Sequence, residues 1–263
     1  MPELPEVEAA VRMLRAAAEG RTIVRARVMH RALRARVAPA RVRSLVGARI
    51  ESVERRGKHQ LVHLAGGRTL HAHFRMAGDW RVEDAASRPP RFARAVLELD
   101  DGVHVWLVDP RALSTLDVRD DVLELHLGPE ATDPALRPRD LRRALARRRG
   151  AIKPALLDQS VVAGLGNIYA AEALWRARLD PRMPASSLTL RELARLLAAV
   201  RHVMRRALAG PIRLAVYGRE DLPCRRCRHQ IARITQAGRS TYFCPHCQPP
   251  ARTISRVPRA MRL

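Results

Sequence analysis

Cys224, Cys227, Cys244 and Cys247 are the only cysteines of the chain, and they fall as CRRC, sixteen residues, then CPHC. Two CxxC pairs at this spacing bring four thiolates to one point from the two ends of a β-hairpin. Four sulfurs suit the tetrahedral preference of Zn2+ and close its coordination shell, so the expected metal is one structural zinc rather than a catalytic one. His229 and His246 offer alternative ligands but read more simply as exposed polar residues. All four cysteines are thereby used, leaving none for a disulfide framework. The intervening ITQAGRSTYF places Arg239 at or near the hairpin tip, where a cation can grip a phosphate or enter a groove.

The rest of the chain divides by hydrophobic period. Val7, Val11, Leu14 and Ala18 recur one helical turn apart after Pro5, with Glu6 and Glu8 at the positive end of the dipole and Gly20 at the close. From 21 to about 128 the period moves toward two. TIVRARVMH, RIESVERRG, HQLVHL, TLHAHF, RAVLEL and VHVWLV read as strands, with AGG and DDG as hairpin turns. Beyond LGPEATDPALRP the spacing is helical, in PRDLRRALARRR, in AIKPALLDQSVVAGLGNIYAAEALWRA and in LTLRELARLLAAVRHVMRRAL. The expected class is α+β. A helix and β-sheet domain spans 1–130, a helical domain 131–216, the zinc hairpin 217–250, and an arginine-rich tail without acids 251–263.

The 49 Lys and Arg against 26 Asp and Glu give a formal charge of +23. A surplus this large favours a polyanionic partner, with nucleic acid foremost. The acidic opening MPELPEVEAA has no apolar signal core, and no apolar run approaches the roughly 20 residues needed to cross a bilayer. The expectation is a soluble cytoplasmic protein, monomeric and without a membrane partner.

Only two of the 49 cations are lysines, Lys58 in VERRGKHQLV and Lys153 in AIKPALL. Phosphate binding is served as well by arginine. Proton transfer is not, because a guanidinium stays protonated while an ammonium can release its proton. Lys58 is therefore a candidate proton donor. For Lys153 a compact point charge at a tight helix start is an equally good explanation.

At the other end, removal of Met1 would leave Pro2 with a secondary amine, and α-amino groups titrate near 7.7–8.0. Such an amine can attack an aldehyde-like carbon to form an iminium, an electron sink for elimination, with Glu3 beside it as acid or base.

MPELPEVE, RRGKHQL, DPR, AIKPALLD…GLGNIYAAEAL and VYGR…PCRRC…CPHC stand in one order, and together they resemble the formamidopyrimidine-DNA glycosylase family over residues 1 to about 248. The resemblance implies an amino-terminal β-sandwich domain, a helix–two-turn–helix domain and a zinc finger. It implies a base-excision-repair glycosylase with abasic-site lyase activity, acting on double-stranded DNA that holds damaged bases or abasic sites. On this pattern Pro2 is the nucleophile at C1′, Glu3 assists base loss and ring opening, Lys58 donates a proton, and Arg239 serves the second elimination and a phosphate. Asn167, leading a helix after GLG, would hold phosphate, while Lys153 and Arg148 belong to the DNA-binding set. Met76 would be one wedge filling the gap left by the extruded base, with Arg111 and Leu113 inserted on the opposite strand. From the residues alone, Met76 and Leu113 would be core.

The chain departs from the family at recognition positions. Arg75 stands where glycine usually precedes the wedge methionine. Leu113 and Ser114 replace an aromatic and a glycine, and Phe92 replaces a DNA-contacting histidine. Only AGPIRLA lies before VYGR, where the 8-oxoguanine-specific branch carries a long glycine-containing loop. Ring-opened purines, further-oxidised guanines, oxidised pyrimidines or bare abasic sites are accordingly expected above 8-oxoguanine. The alternative reading is a zinc-ribbon protein that binds DNA or senses damage without chemistry.

Overall fold

Pro5 in the first turn and a Glu3–Glu6 capping box, with the Glu3 amide donating to Glu6 Oε2 at 2.8 Å, start helix α1 at Leu4–Ala18. Its buried stripe is Leu4, Val7, Val11, Leu14 and Ala18, and each large aliphatic contributes about 1.5–3 kcal/mol on burial. Arg15, on the flank, donates from Nε and Nη2 to the Val53 carbonyl at 3.1 and 2.7 Å. The structure, a computed structural model, describes residues 1–120 and 124–250; the basic tail expected at 251–263 lies outside the described residues.

Two compact units are present, neither continuous in sequence. The first comprises residues 1–133, 158–166 and 204–212, and the second the remainder. In the first, β1 (Ile23–Val28), β6 (Ala93–Leu99), β7 (Val103–Val108) and β5 (Asp79–Asp84) form one antiparallel sheet in that order. β2 (Ile50–Arg56), β3 (His59–Leu64), β4 (Thr69–His73) and β8 (Thr115–Arg119) form the other. Both sheets and α1 bury their apolar residues in one cluster that includes Val11, Ile23, Val62, Leu70 and Leu107, so the expected β-sandwich is present. All six strands expected from the sequence form. β5 and β8 are additional; both are edge strands, and charges at Asp79, Arg81, Glu83, Asp117 and Arg119 dilute their alternation. Two short helices, α2 (Arg31–Arg34) and α3 (Pro39–Arg43), are likewise additions to the sequence reading.

The second unit holds α4 (Pro138–Leu145), α5 (Ile152–Leu157) and α6 (Asn167–Ala177). It also takes most of α7 (Leu190–Leu208), where Thr189 and Glu192 form a reciprocal capping box. Its hairpin pairs β9 (Ala232–Gln236) with β10 (Arg239–Phe243). Ala237 and Gly238 are the two turn residues, both with positive φ (47° and 71°), as a two-residue hairpin turn requires. Buried Glu172 on α6 anchors the segment leading to the hairpin, accepting from the amides of Ala215, Val216 and Tyr217 at 2.8–2.9 Å. No described helix is long and apolar enough to cross a membrane.

Candidate active site

In the first unit the sequence GLG explains itself. Gly164 has φ +89°, and a Cβ there would run into Leu4; a Cβ at Gly166 would collide with the Glu3 side chain. The backbone thus lies flat against the start of α1, where the Leu4 amide donates to the Gly164 carbonyl at 3.1 Å. Glu3 is 1% exposed, so its carboxyl is walled by Gly166 one residue away from Pro2, itself half-buried. Lys58, 7% exposed, donates from Nζ to the carbonyl of Leu165 at 2.9 Å. A single tripeptide therefore fixes both the acid and the ammonium.

Lys58 follows a turn at Gly57 (φ +61°) that is clamped by charge. Glu130 accepts from Arg55 at 2.8 Å, Arg56 at 3.0 Å and the Gly57 amide at 2.6 Å. Arg55 also bonds Glu8 at 2.8 Å. Three histidines follow on β3 and β4. His59 Nδ1 and His71 Nε2 share a hydrogen bond of 2.8 Å, and the His73 ring sits edge-on to His59. Burial, then charge from His71, Arg75 and Lys58, pushes His59 down to about 4. Burial, then His59, Arg75, His71 and Lys58, pushes His73 down to about 3, so both rings are neutral at pH 7.

The expected wedges occupy two loops. Met76 is exposed in the turn between Phe74 and Gly78, Arg111 is exposed, and Leu113 is half-buried. Met76 is therefore not a core residue, contrary to what its residue type alone implies. Arg75 adopts φ +56°, a left-handed backbone conformation that favours glycine. Asp109 is fully buried and accepts from the amides of Arg111, Leu113 and Ser114 and from the Ser114 hydroxyl, all at 2.7–2.9 Å. Burial raises its carboxyl, but these donors, Ser114 foremost, outweigh that and hold it below the usual range. Sequence reading assigns no role to either Asp109 or Glu130. The signal available is an acid beside a loop motif, with no hint of the amides it collects.

In the second unit, Lys153 is 1% exposed. Its Nζ donates to Asn167 Oδ1, to the Ser240 carbonyl at 3.1 Å and to Thr241 Oγ1 at 2.8 Å. Three acceptors around one nitrogen suit a tetrahedral ammonium and not a planar guanidinium, so this lysine has a packing reason to exist. Asn167 is the first residue of α6; its Nδ2 donates to the Ser240 carbonyl at 3.0 Å, turning its amide toward the hairpin. Arg148 is half-buried just past α4. Arg239 is exposed as the first residue of β10, at the tip.

The four sulfurs lie within 4.8 Å of one another, with Cys227–Cys244 at 3.4 Å and Cys224–Cys247 at 3.9 Å. Zinc–sulfur bonds of about 2.3 Å in a tetrahedron place sulfurs about 3.8 Å apart, so the cluster could hold one zinc ion. Amide donors turn toward the sulfurs, from Arg226 to Cys224 and from Cys247 to Cys244, and the Trp175 indole donates to Cys224 at 3.4 Å. Burial raises the Cys224 thiol, but the Arg226 and Cys227 amides and that indole lower it on balance, whereas burial and the neighbouring thiols raise Cys247. His229 and His246 are exposed and stacked on each other, 4.1 Å between ring centres, and their ring nitrogens reach within 4.8 Å of the Cys227 sulfur.

A β-sandwich opening on Pro-Glu, followed by helices and a four-cysteine hairpin, defines the class of zinc-finger proteins with an amino-terminal β-sandwich and a helix–two-turn–helix domain. Residues 1–116 match the formamidopyrimidine-DNA glycosylase N-terminal domain, 127–215 its H2TH domain, and 221–250 the zinc finger found in FPG and IleRS. The formamidopyrimidine-DNA glycosylase of Thermus thermophilus is 42% identical over 94% of this chain and 98% of its own. That of Gluconobacter oxydans is 40% identical over 94% and 100%. The crystal structure of the Lactococcus lactis enzyme bound non-covalently to abasic-site DNA superposes with a TM-score of 0.87 at 30% identity, covering 94% of this chain and 99% of that one. The chain belongs to the formamidopyrimidine-DNA glycosylase family.

Proposed function

We propose that the protein is a base-excision-repair DNA glycosylase with abasic-site lyase activity. The observation that carries this reading is that the Gly164–Gly166 segment seats the Glu3 carboxylate and ties down the Lys58 ammonium, beside a proline that becomes the amino terminus once Met1 is removed. The Pro2 nitrogen attacks C1′, the bond from C1′ to the base breaks, and the base leaves with a proton. Glu3 assists opening of the sugar ring, giving an iminium between Pro2 and C1′. Loss of a C2′ proton expels the 3′ phosphate, a second elimination expels the 5′ phosphate, and water releases Pro2 from the sugar fragment. Lys58 supplies the proton in elimination, and Arg239 serves the second elimination and its phosphate.

Asn167 serves a phosphate, and Lys153 acts chiefly as a positioning residue for Asn167 and the β10 backbone. Arg148 completes the DNA-binding set, while Met76, Arg111 and Leu113 fill the vacated stack. Cys224, Cys227, Cys244 and Cys247 would hold one zinc ion, which closes the hairpin and takes no part in the chemistry. Six residues, 209–214, separate the end of α7 from the Ala215 amide fixed by Glu172. So short a segment supports ring-opened purines, further-oxidised guanines, oxidised pyrimidines or abasic sites over 8-oxoguanine. We place the protein in the cytoplasm of a bacterial-type cell as a monomer on double-stranded DNA.

A panel of lesion-bearing duplexes, cut by untagged protein and by protein extended before Pro2, tests the reading. The extended form is expected to bind abasic DNA and not cleave it. Equal cleavage by both forms, or binding without cleavage by the native form, would support a damage-binding protein instead.

A further inference from the structure

Three exposed or half-exposed apolar side chains, Met76, Phe92 and Leu113, hang on one hydrogen-bond network centred on Asp109. The Asp109 carboxylate gathers the loop that carries Leu113. Its backbone amide donates to the Phe92 carbonyl at 3.1 Å, and its backbone carbonyl accepts from Arg94 Nε at 2.6 Å. The Ser114 hydroxyl bridges Asp109 Oδ2 to the Phe74 carbonyl, tying in the Met76 turn. Arg36 Nη1 donates to the carbonyls of Ala112 and Ser114 from outside. Each of the three segments also holds a non-glycine residue in the left-handed region: Arg75 at φ +56°, Phe92 at +67° and Ala112 at +53°. Such conformations persist where surroundings over-determine them, and they concentrate at functional sites.

Phe92 is the unusual member. A phenylalanine 38% exposed, with left-handed backbone and beside a register shift in β6, is held away from the core rather than drawn into it. The Arg91 and Arg94 guanidinium groups lie 4.5 and 5.9 Å from its ring centre, cation–π contacts that hold the ring in place. We propose that Phe92 is a third stacking residue, laying its ring on the unpaired base left when a damaged nucleotide leaves the duplex, and so supplying the aromatic surface that Leu113 lacks. The proposal rests on the glycosylase reading above. A phenyl ring offers stacking area and no side-chain hydrogen bond, making recognition depend on the orphaned base.

The test measures affinity for two duplexes. One carries a tetrahydrofuran abasic analogue opposite cytosine, the other carries the analogue on both strands, so that no base remains to stack. Phe92→Ala and Phe92→Asn, the latter tolerant of left-handed backbone, are expected to weaken binding to the first about 5- to 150-fold, the range for loss of one aromatic–base stack. Binding to the second should change far less, and Phe92→Trp should retain affinity for both. Unchanged affinity of the Ala and Asn variants for the first duplex, or an equal loss on both, overturns the proposal. Failure of the underlying reading looks different, since wild-type protein would then form no borohydride-stable adduct with abasic DNA.

Discussion

Adding one methyl group at Gly166 tests how far the chemistry depends on a carboxylate wedged against backbone. A Cβ there lies within 3 Å of Glu3 side-chain atoms, whereas ordinary Cβ contacts begin at 3.4–4 Å. The Glu3 side chain, 1% exposed, must therefore retreat by roughly an ångström, and misplacing a catalytic group by that distance costs on the order of 10²-fold in rate. That equals about 2.7 kcal/mol of transition-state stabilisation. Overpacking adds a stability loss of about 1–3 kcal/mol. Gly166→Ala should be assayed by single-turnover excision, alone and combined with Glu3→Gln. We expect the alanine to slow excision on that scale in the native background and to cost little once Glu3 is already disabled, because coupled residues are not additive. A Gly166→Ala enzyme as fast as wild type, or an equal loss in both backgrounds, would refute the claim that this glycine exists to seat Glu3.

Lys58→Arg should keep DNA affinity and slow turnover on a damaged base by about 10²- to 10⁴-fold, the range for losing a general acid, as read from separate binding and single-turnover measurements. Chelating the zinc should unfold the hairpin that carries Arg239 and abolish DNA binding, restored by one equivalent of Zn2+; ligand exchange and activity titration report both. His59 and His73 stay neutral in the folded protein down to about 4 and about 3, while unfolded histidine titrates near 6.5. Stability conferred by their neutral forms is thus fully present above pH 6.5 and falls as pH drops toward 4 and then 3. The slope is at most about 1.4 kcal/mol per pH unit for each ring. Urea midpoints measured across this window should flatten in His59→Gln and His73→Gln variants.

Local signals carry far in this chain. Spacing alone locates α1, six of eight sandwich strands, the helical half and the four cysteines, because each is written in neighbouring residues. The scarcity of lysine points to Lys58 and Lys153, but only Lys58 is legible by its chemistry. The three acceptors of Lys153 include Ser240 and Thr241, nearly ninety positions away, and no local pattern announces them. Glu130 sits in a Pro- and Gly-containing stretch that reads as a boundary, yet it clamps the turn before Lys58. Met76 reads as core by residue type; its exposure follows from a strained turn that residue type does not announce. What stays illegible is long-range pairing of polar groups, since polar satisfaction has no period.

The central claim is that the proline nitrogen is the nucleophile. Trapping the protein on abasic-site DNA with borohydride, digesting both components and locating the sugar remnant by mass spectrometry tests it directly. A proline nucleophile predicts a peptide beginning at Pro2 with the remnant on its amino nitrogen. A remnant on Lys58 or Lys153, or DNA cleavage with no adduct, would contradict it.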